Sequence, residues 1–236
     1  MLSASVADVQ RRIAAACART GRLAADVVII GVTKTVSVDR IVGAVAVGLR
    51  QFGENRVQEA VVKIHQLHEA DCVHRDVVQW HMIGTLQRNK VQQAVELFDL
   101  IHSIDSAALA EEVNRQAGQI GKRQPVLIQV NVFGERTKHG VLPDAVEPLV
   151  QTISQLSHLE GRGFMTMAPL GASPEVVRDS FHRLRVLRDQ VCGGRVLSGQ
   201  PWAQLSMGMS DDFELAVEEG ATMVRIGRAL FGERGV

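Results

Sequence analysis

The feature that most restricts the fold is an alternation. Short apolar runs give way to segments whose apolar residues recur at three- and four-residue spacing, eight times over. The runs cover 27–34, 50–53, 77–84, 100–104, 125–131, 159–167, 203–207 and 222–226. The first, Val27-Val28-Ile29-Ile30-Gly31-Val32-Thr33-Lys34, is almost wholly β-branched. It reads as a strand buried on both faces, as in a parallel sheet. The intervening helices carry stripes such as Ile41, Val42, Val45 and Leu49, or Val57, Val61, Ile64 and Leu67. Ser37, Asn55, Ser106 and Ser173-Pro174 stand where helix caps are needed, Ser210 opens a helix over 211–219, and Gly220 ends it. Eight βα units in one chain of 236 residues predict a single α/β domain over 1–236, a (β/α)8 TIM barrel. An open doubly wound sheet would more often carry a glycine-rich dinucleotide loop after its first strand, and none is present. One further helix, over 3–20, precedes the first strand and is expected to cover the barrel floor or pack at its side.

Composition removes several function classes. Twenty-six basic residues balance 26 acidic ones, which argues against nucleic acid and anionic membrane as partners. No apolar run approaches the roughly 18 residues of a membrane span, and residues 1–12 lack a signal-peptide core. Cys17, Cys72 and Cys192 are isolated, which points to a reducing, cytoplasmic setting. His65, His68 and His74 have no carboxylate or cysteine at metal spacing and read as surface. Tyrosine is absent, so no phenol of this chain can act as acid or base.

Chemistry collects at the C-terminal ends of barrel strands. Lys34 ends the first strand. Partial desolvation there lowers an amine's pKa and suits it to Schiff-base formation, although a strand-end lysine facing solvent is the plainer reading. The loops after strands seven and eight read Ser206-Met207-Gly208-Met209-Ser210 and Arg225-Ile226-Gly227-Arg228. Each offers small residues and main-chain N–H groups suited to phosphate. Asp211 and Asp212 would repel an anion they faced, so they are expected to point away. Barrel closure sets strand eight beside strand one, and hence Lys34 beside these loops. An amine, a phosphate site and a nearby arginine suggest pyridoxal 5′-phosphate (PLP).

The motifs Val32-Thr33-Lys34-Thr35, Phe52-Gly53-Glu54-Asn55-Arg56-Val57-Gln58-Glu59, Trp80-His81-Met82-Ile83-Gly84-Thr85-Leu86-Gln87-Arg88-Asn89-Lys90, Ser206-Met207-Gly208-Met209-Ser210-Asp211-Asp212 and Arg225-Ile226-Gly227 span almost the whole chain. In that order they resemble the pyridoxal phosphate homeostasis protein family, itself similar to the barrel half of bacterial alanine racemases without their β domain. The resemblance implies PLP held covalently on Lys34 and a role in intracellular vitamin B6 balance without an established reaction. It also implies PLP-dependent apo-enzymes as candidate recipients, and a monomer. Lys34 matches the Schiff-base lysine, and Arg225 matches the arginine facing the pyridine nitrogen in the racemases. Ser206, Met207, Ser210 and the backbone of Gly227 and Arg228 fall in the phosphate-binding loops. Asn55 and His81 are expected to line the pocket, Met165 to face the ring, and the loop 135–140, with Lys138, to lie at the mouth. Val36 stands where many members have lysine, which removes an amine for passing PLP on, and Thr85 stands where many have proline.

Other readings stay open. His81 is pocket-lining or a partly buried strand histidine; Met165 is ring-facing or plain core; Asn55 is ligand, cap or both. For the whole chain the alternatives are an amino-acid racemase that uses PLP, and a lysine-dependent aldolase that does not.

Overall fold

The eight apolar runs form eight parallel strands that close on themselves in chain order. The structure, a computed structural model, describes residues 2–69, 77–135, 138–193 and 201–232. The strands are β1 (Val28–Val32), β2 (Gln51–Glu54), β3 (Gln79–Met82), β4 (Leu100–Ile104), β5 (Gln124–Gln129), β6 (Leu159–Met165), β7 (Gln204–Ser206) and β8 (Met223–Ile226). Helix α1 (Leu2–Arg19) precedes β1. Then come α2 (Val38–Ala46), α3 (Val57–Glu69), α4 (Val91–Leu97), α5 (Ala107–Gln119), α6 (Val146–Gln155), α7 (Pro174–Val191), α8 (Phe213–Glu218) and α9 (Arg228–Phe231), one after each strand. β1 pairs with β8 as Ile30 opposite Arg225 and Gly31 opposite Ile226, which closes the (β/α)8 barrel.

Side-chain alternation along each strand divides the core in two. Phe52, Phe98, Phe164, Phe181 and Phe213 are fully buried in the shell between strands and helices. Ile30, Leu100, Leu127, Met165 and Met223 form a separate apolar cluster inside the barrel. The same inner face carries Gln51, His81, His102, Ser206 and Arg225, and these polar residues build the site.

Helix α1 packs at the side of the barrel, against α8 and α9. Arg12 fixes it there, donating from Nε and Nη2 to Glu214 at 3.1 and 2.8 Å while its guanidinium stacks 4.5 Å from the Phe213 ring. At two of the boundaries that differ from the sequence reading, a side chain draws the backbone out of regular structure. β6 stops at Met165, because Thr166 donates its hydroxyl to the Val130 carbonyl and turns its own carbonyl to Arg225. α8 begins at Phe213, because Asp212 Oδ1 accepts the Met209 N–H at 2.5 Å and folds the preceding loop into a turn. Ser210 therefore does not open α8; its hydroxyl accepts the Ala229 N–H of α9. A short 3-10 turn, Arg88–Lys90, precedes α4. Cys72, His74, Arg136 and Thr137 lie outside the described residues.

Candidate functional site at the C-terminal rim of the barrel

Lys34 leaves β1 on a tight turn, half-buried, with the Val36 N–H on the Thr33 carbonyl at 2.9 Å. Thr35, next to it, adopts φ 62°, a left-handed conformation that costs a β-branched residue energy. Val36 is buried in the apolar shell. The chain thus carries a hydrophobic plug where many members of the family it resembles have lysine.

Arg225 is buried inside the barrel, two residues above Met223 on the same face of β8. Its Nη1 donates to the Ser206 carbonyl and hydroxyl, both at 2.7 Å, and its Nη2 to the Thr166 carbonyl at 2.8 Å. Charge-assisted bonds of this kind are worth roughly 1.5–3 kcal/mol each. Among the described residues no carboxylate is within ion-pair distance. Burial lowers its pKa to about 10, against a smaller opposing pull from Asp212, so the guanidinium is charged at neutral pH.

From Arg225 a chain of hydrogen bonds crosses the barrel interior. Ser206 Oγ meets His102 Nδ1 at 2.9 Å, His102 Nε2 meets His81 Nδ1 at 2.9 Å, and His81 Nε2 meets Gln51 Oε1 at 2.5 Å. Gln51 Nε2 then donates to Gln79 at 2.7 Å. The roles are determined from both ends. Arg225 can only donate, so Ser206 gives its own proton to His102 Nδ1. Gln51 accepts through its oxygen, so His81 carries its proton on Nε2. Both imidazoles are therefore neutral Nε2–H tautomers. Burial agrees: it lowers the His81 pKa to about 4 and holds that of His102 well below its ordinary value, with His81 and Arg225 adding to the depression.

That neutrality makes stability depend on pH. The unfolded chain protonates His81 near 6.5, while the folded chain resists to about 4. Between these values the unfolded state holds the extra proton, so stability is lost as pH falls from about 6.5 to about 4, by about 3 kcal/mol for His81 alone. Urea unfolding at pH 7 and pH 4.5 should show the drop, and His81→Gln should reduce it, leaving the part that comes from His102. An equal drop in both proteins would rule out the buried neutral imidazole as its source.

The loops after β7 and β8 meet through Ser210 Oγ and the Ala229 N–H at 3.2 Å, and through an Arg228–Asp211 ion pair. Asp211 thus engages the neighbouring loop. Gly208 is required here: at φ 90°, a Cβ would lie 2.5 Å from that of Ala216. The Met207 side chain is fully buried in the outer shell and its N–H donates to the Met223 carbonyl, so neither can reach a ligand at the mouth.

On the opposite side of the rim, the connections after β2 and β3 enclose a cleft of about 690 Å³. Asn55, Arg56, Met82, Lys90 and His139 line it. Gly84 sits so close that a Cβ would lie 2.2 Å from the Asn55 carbonyl oxygen, which only glycine tolerates. The loop after β5 is tied down by Asn131, which donates to the Glu135 carbonyl at 2.8 Å, and by a Lys138–Glu135 ion pair at 2.7 Å.

The residues expected from sequence fall into three groups. His81, Ser206 and Arg225 share one buried network, with Met165 beside it in the inner cluster. Lys34 follows β1, which pairs with the strand that carries Arg225, and Ser210, Gly227 and Arg228 lie in the loops after β7 and β8. Asn55 lines the separate cleft. His102 and Gln51 went unnoticed in the sequence; the available signal was that His102 shares the inner face of β4 with Leu100.

Comparison with known proteins bears on what such a site serves. The family profile described as alanine racemase, N-terminal domain, matches residues 9–235. A pyridoxal phosphate homeostasis protein of Aquifex aeolicus is 43% identical over 96% of this chain and 95% of its own. The chain belongs to the pyridoxal phosphate homeostasis protein family. PipY of Synechococcus elongatus, a solved structure with PLP bound, superposes with a TM-score of 0.81 at 36% identity, over 98% of this chain and 100% of that one. An alanine racemase of Clostridium difficile shares only the fold, at 15% identity and a TM-score of 0.65, and this chain spans 53% of it.

Proposed function

We propose that this protein binds PLP as a covalent adduct on Lys34 and serves intracellular PLP homeostasis, without turning over a substrate of its own. The observation that carries this reading is Arg225, a buried, charged donor inside the barrel with no carboxylate within ion-pair distance among the described residues. Three of its N–H bonds have acceptors among the described residues, which leaves the Nε proton and one Nη2 proton to donate to a ligand.

The residues fit PLP. Lys34 supplies the amine. Arg225 suits a pyridine nitrogen, since it can donate a hydrogen bond but gives up no proton. Met165 offers an apolar floor. The linked loops at Ser210, Gly227 and Arg228 suit the phosphate. Ser206 has the different task of orienting Arg225, since its hydroxyl proton is committed to His102. His81 acts through the same chain, and Asn55 from the cleft side of the rim. Bound there, PLP supplies an electrophilic carbonyl carbon that condenses with an amine, releasing water, and a ring able to delocalise charge.

We take the protein to work in the cytoplasm as a monomer, with PLP-dependent apo-enzymes as recipients. Among the described residues no helix is long and apolar enough to cross a membrane.

The test is borohydride reduction after incubation with PLP, followed by peptide mass spectrometry. One adduct, on Lys34, is expected; an adduct mainly on Lys138 or Lys90 would refute the assignment. Pyridoxal, which lacks the phosphate, should bind at least about 10-fold more weakly than PLP. Equal affinities in a titration would remove the loops after β7 and β8 as the anion site.

A further inference from the structure

The turn that presents Lys34 is gripped from behind by a buried ionic cluster. Lys63, on α3, is almost wholly buried, and its Nζ has three acceptors: the Thr33 carbonyl at 2.5 Å, Glu54 Oε1 at 2.8 Å and Glu59 Oε1 at 2.6 Å. That is as many as an ammonium can serve. The two carboxylates hold the residues on either side of Lys34. Glu54 Oε1 accepts the Thr33 hydroxyl at 2.6 Å, and Glu59 Oε1 accepts the Thr35 N–H at 2.5 Å. Thr35 is the residue at φ 62°.

The charges suit a fixed device. Burial pushes the Glu54 carboxyl up, against hydrogen bonds from Lys63 and Thr33. For Glu59 burial also pushes up, but the bonds from Lys63 and the Thr35 N–H outweigh it and the net shift is down. Glu54 Oε2 is buried without a partner among the described residues. Removing Lys63 would leave both carboxylates without their shared cation and the Thr33 carbonyl with the Val36 N–H alone.

We infer that Lys63 is a positioning residue for Lys34: through Thr33, Glu54 and Glu59 it holds the left-handed turn that aims the Lys34 amine into the barrel mouth. The inference rests on the role proposed for Lys34, but it makes a claim about a different residue. A buried cation on a helix, with no path to the mouth of its own, would set how fast the amine reacts.

The test compares the wild type with Lys63→Met, which keeps an unbranched stem one atom shorter and removes the donor. Three quantities are measured: the rate of PLP attachment trapped by borohydride, the affinity for pyridoxine 5′-phosphate, which has no aldehyde, and the NMR signal of Lys34 after reductive methylation with 13C-formaldehyde. Attachment should slow on the order of 10-fold or more. Pyridoxine 5′-phosphate affinity should hold within about twofold, and the Lys34 methyl signal should shift or split. Lys63→Arg, which restores a cationic donor, should recover part of the rate. Unchanged attachment and an unchanged methyl signal in folded Lys63→Met would overturn the inference. Should Lys63→Met fail to fold, Glu59→Ala decides. It removes the grip on Thr35, together with one of the three acceptors of Lys63, at a partly exposed site, and should slow attachment about threefold or more; an unaltered rate there overturns the inference as well. If the wild type took up no PLP on Lys34, the proposed function would fail, while the methyl signal would still test the clamp.

Discussion

Lys34→Ala is expected to abolish the borohydride-reducible adduct completely while leaving the barrel folded. Lys34 lies one residue beyond the last sheet-bonded contact of its segment, the Thr33 N–H on the Gly53 carbonyl at 3.0 Å. It is half-buried and belongs to neither apolar cluster. The pairing of β1 with β2 and β8 uses the main chain of Val28 to Thr33 and no side chain of Lys34. Truncation should therefore change stability by no more than about 1 kcal/mol. Affinity should fall but not vanish, because Arg225 and the loops after β7 and β8 remain. The loss should be at least about 10-fold, measured by equilibrium dialysis. A variant that still trapped a stoichiometric adduct would show that another amine is the anchor. Lys138, tied to Glu135 at the mouth, would be examined first.

The barrel was legible because its signal is local. Each strand is a short run, β-branched in β1 and β5, and each helix a stripe, and eight repetitions leave few architectures. Lys34 and Arg225 were legible too, since strand ends and strand order follow from the same pattern. The connection between Arg225 and His81 was not. It passes through His102 and Ser206, whose contacts join residues 21 and 104 positions apart, and no short-range pattern encodes such pairs. Ser206 was therefore read as a phosphate contact when its hydroxyl is engaged inside the barrel. The position of Met207 could have been read from alternation: if Ser206 faces inward, Met207 must face the helices. Lys63 was hidden for another reason. A lysine four residues after Glu59 looks like an ordinary surface pair on a helix. Only the fold turns that face toward β1 and buries the pair beneath the turn of Lys34.

Bound PLP is not expected to make this protein an amino-acid racemase. Arg225 bears on the point first. Its charge is retained at neutral pH and its hydrogen bonds fix it in place, so it leaves a facing ring nitrogen unprotonated. Such a ring is a weaker acceptor for charge developing at a substrate α-carbon. The second point is the lack of a tyrosine as partner base. Racemization needs a proton removed from one face of the α-carbon and returned to the other. Lys34 can serve one face; the chain contains no tyrosine to serve the other. The inner histidines are no substitute, because both are committed to hydrogen bonds and held neutral within the barrel. With L-alanine in deuterated water, chiral chromatography should therefore find no sustained D-alanine. At most, slow Lys34-dependent exchange of the α-proton should appear by mass spectrometry. Formation of D-alanine at about 1 per second or faster, lost in Lys34→Ala, would overturn the homeostasis reading in favour of an enzyme. It would also require a base on the second face, and His139 in the cleft and Lys138 on the neighbouring loop would be the first two residues to replace.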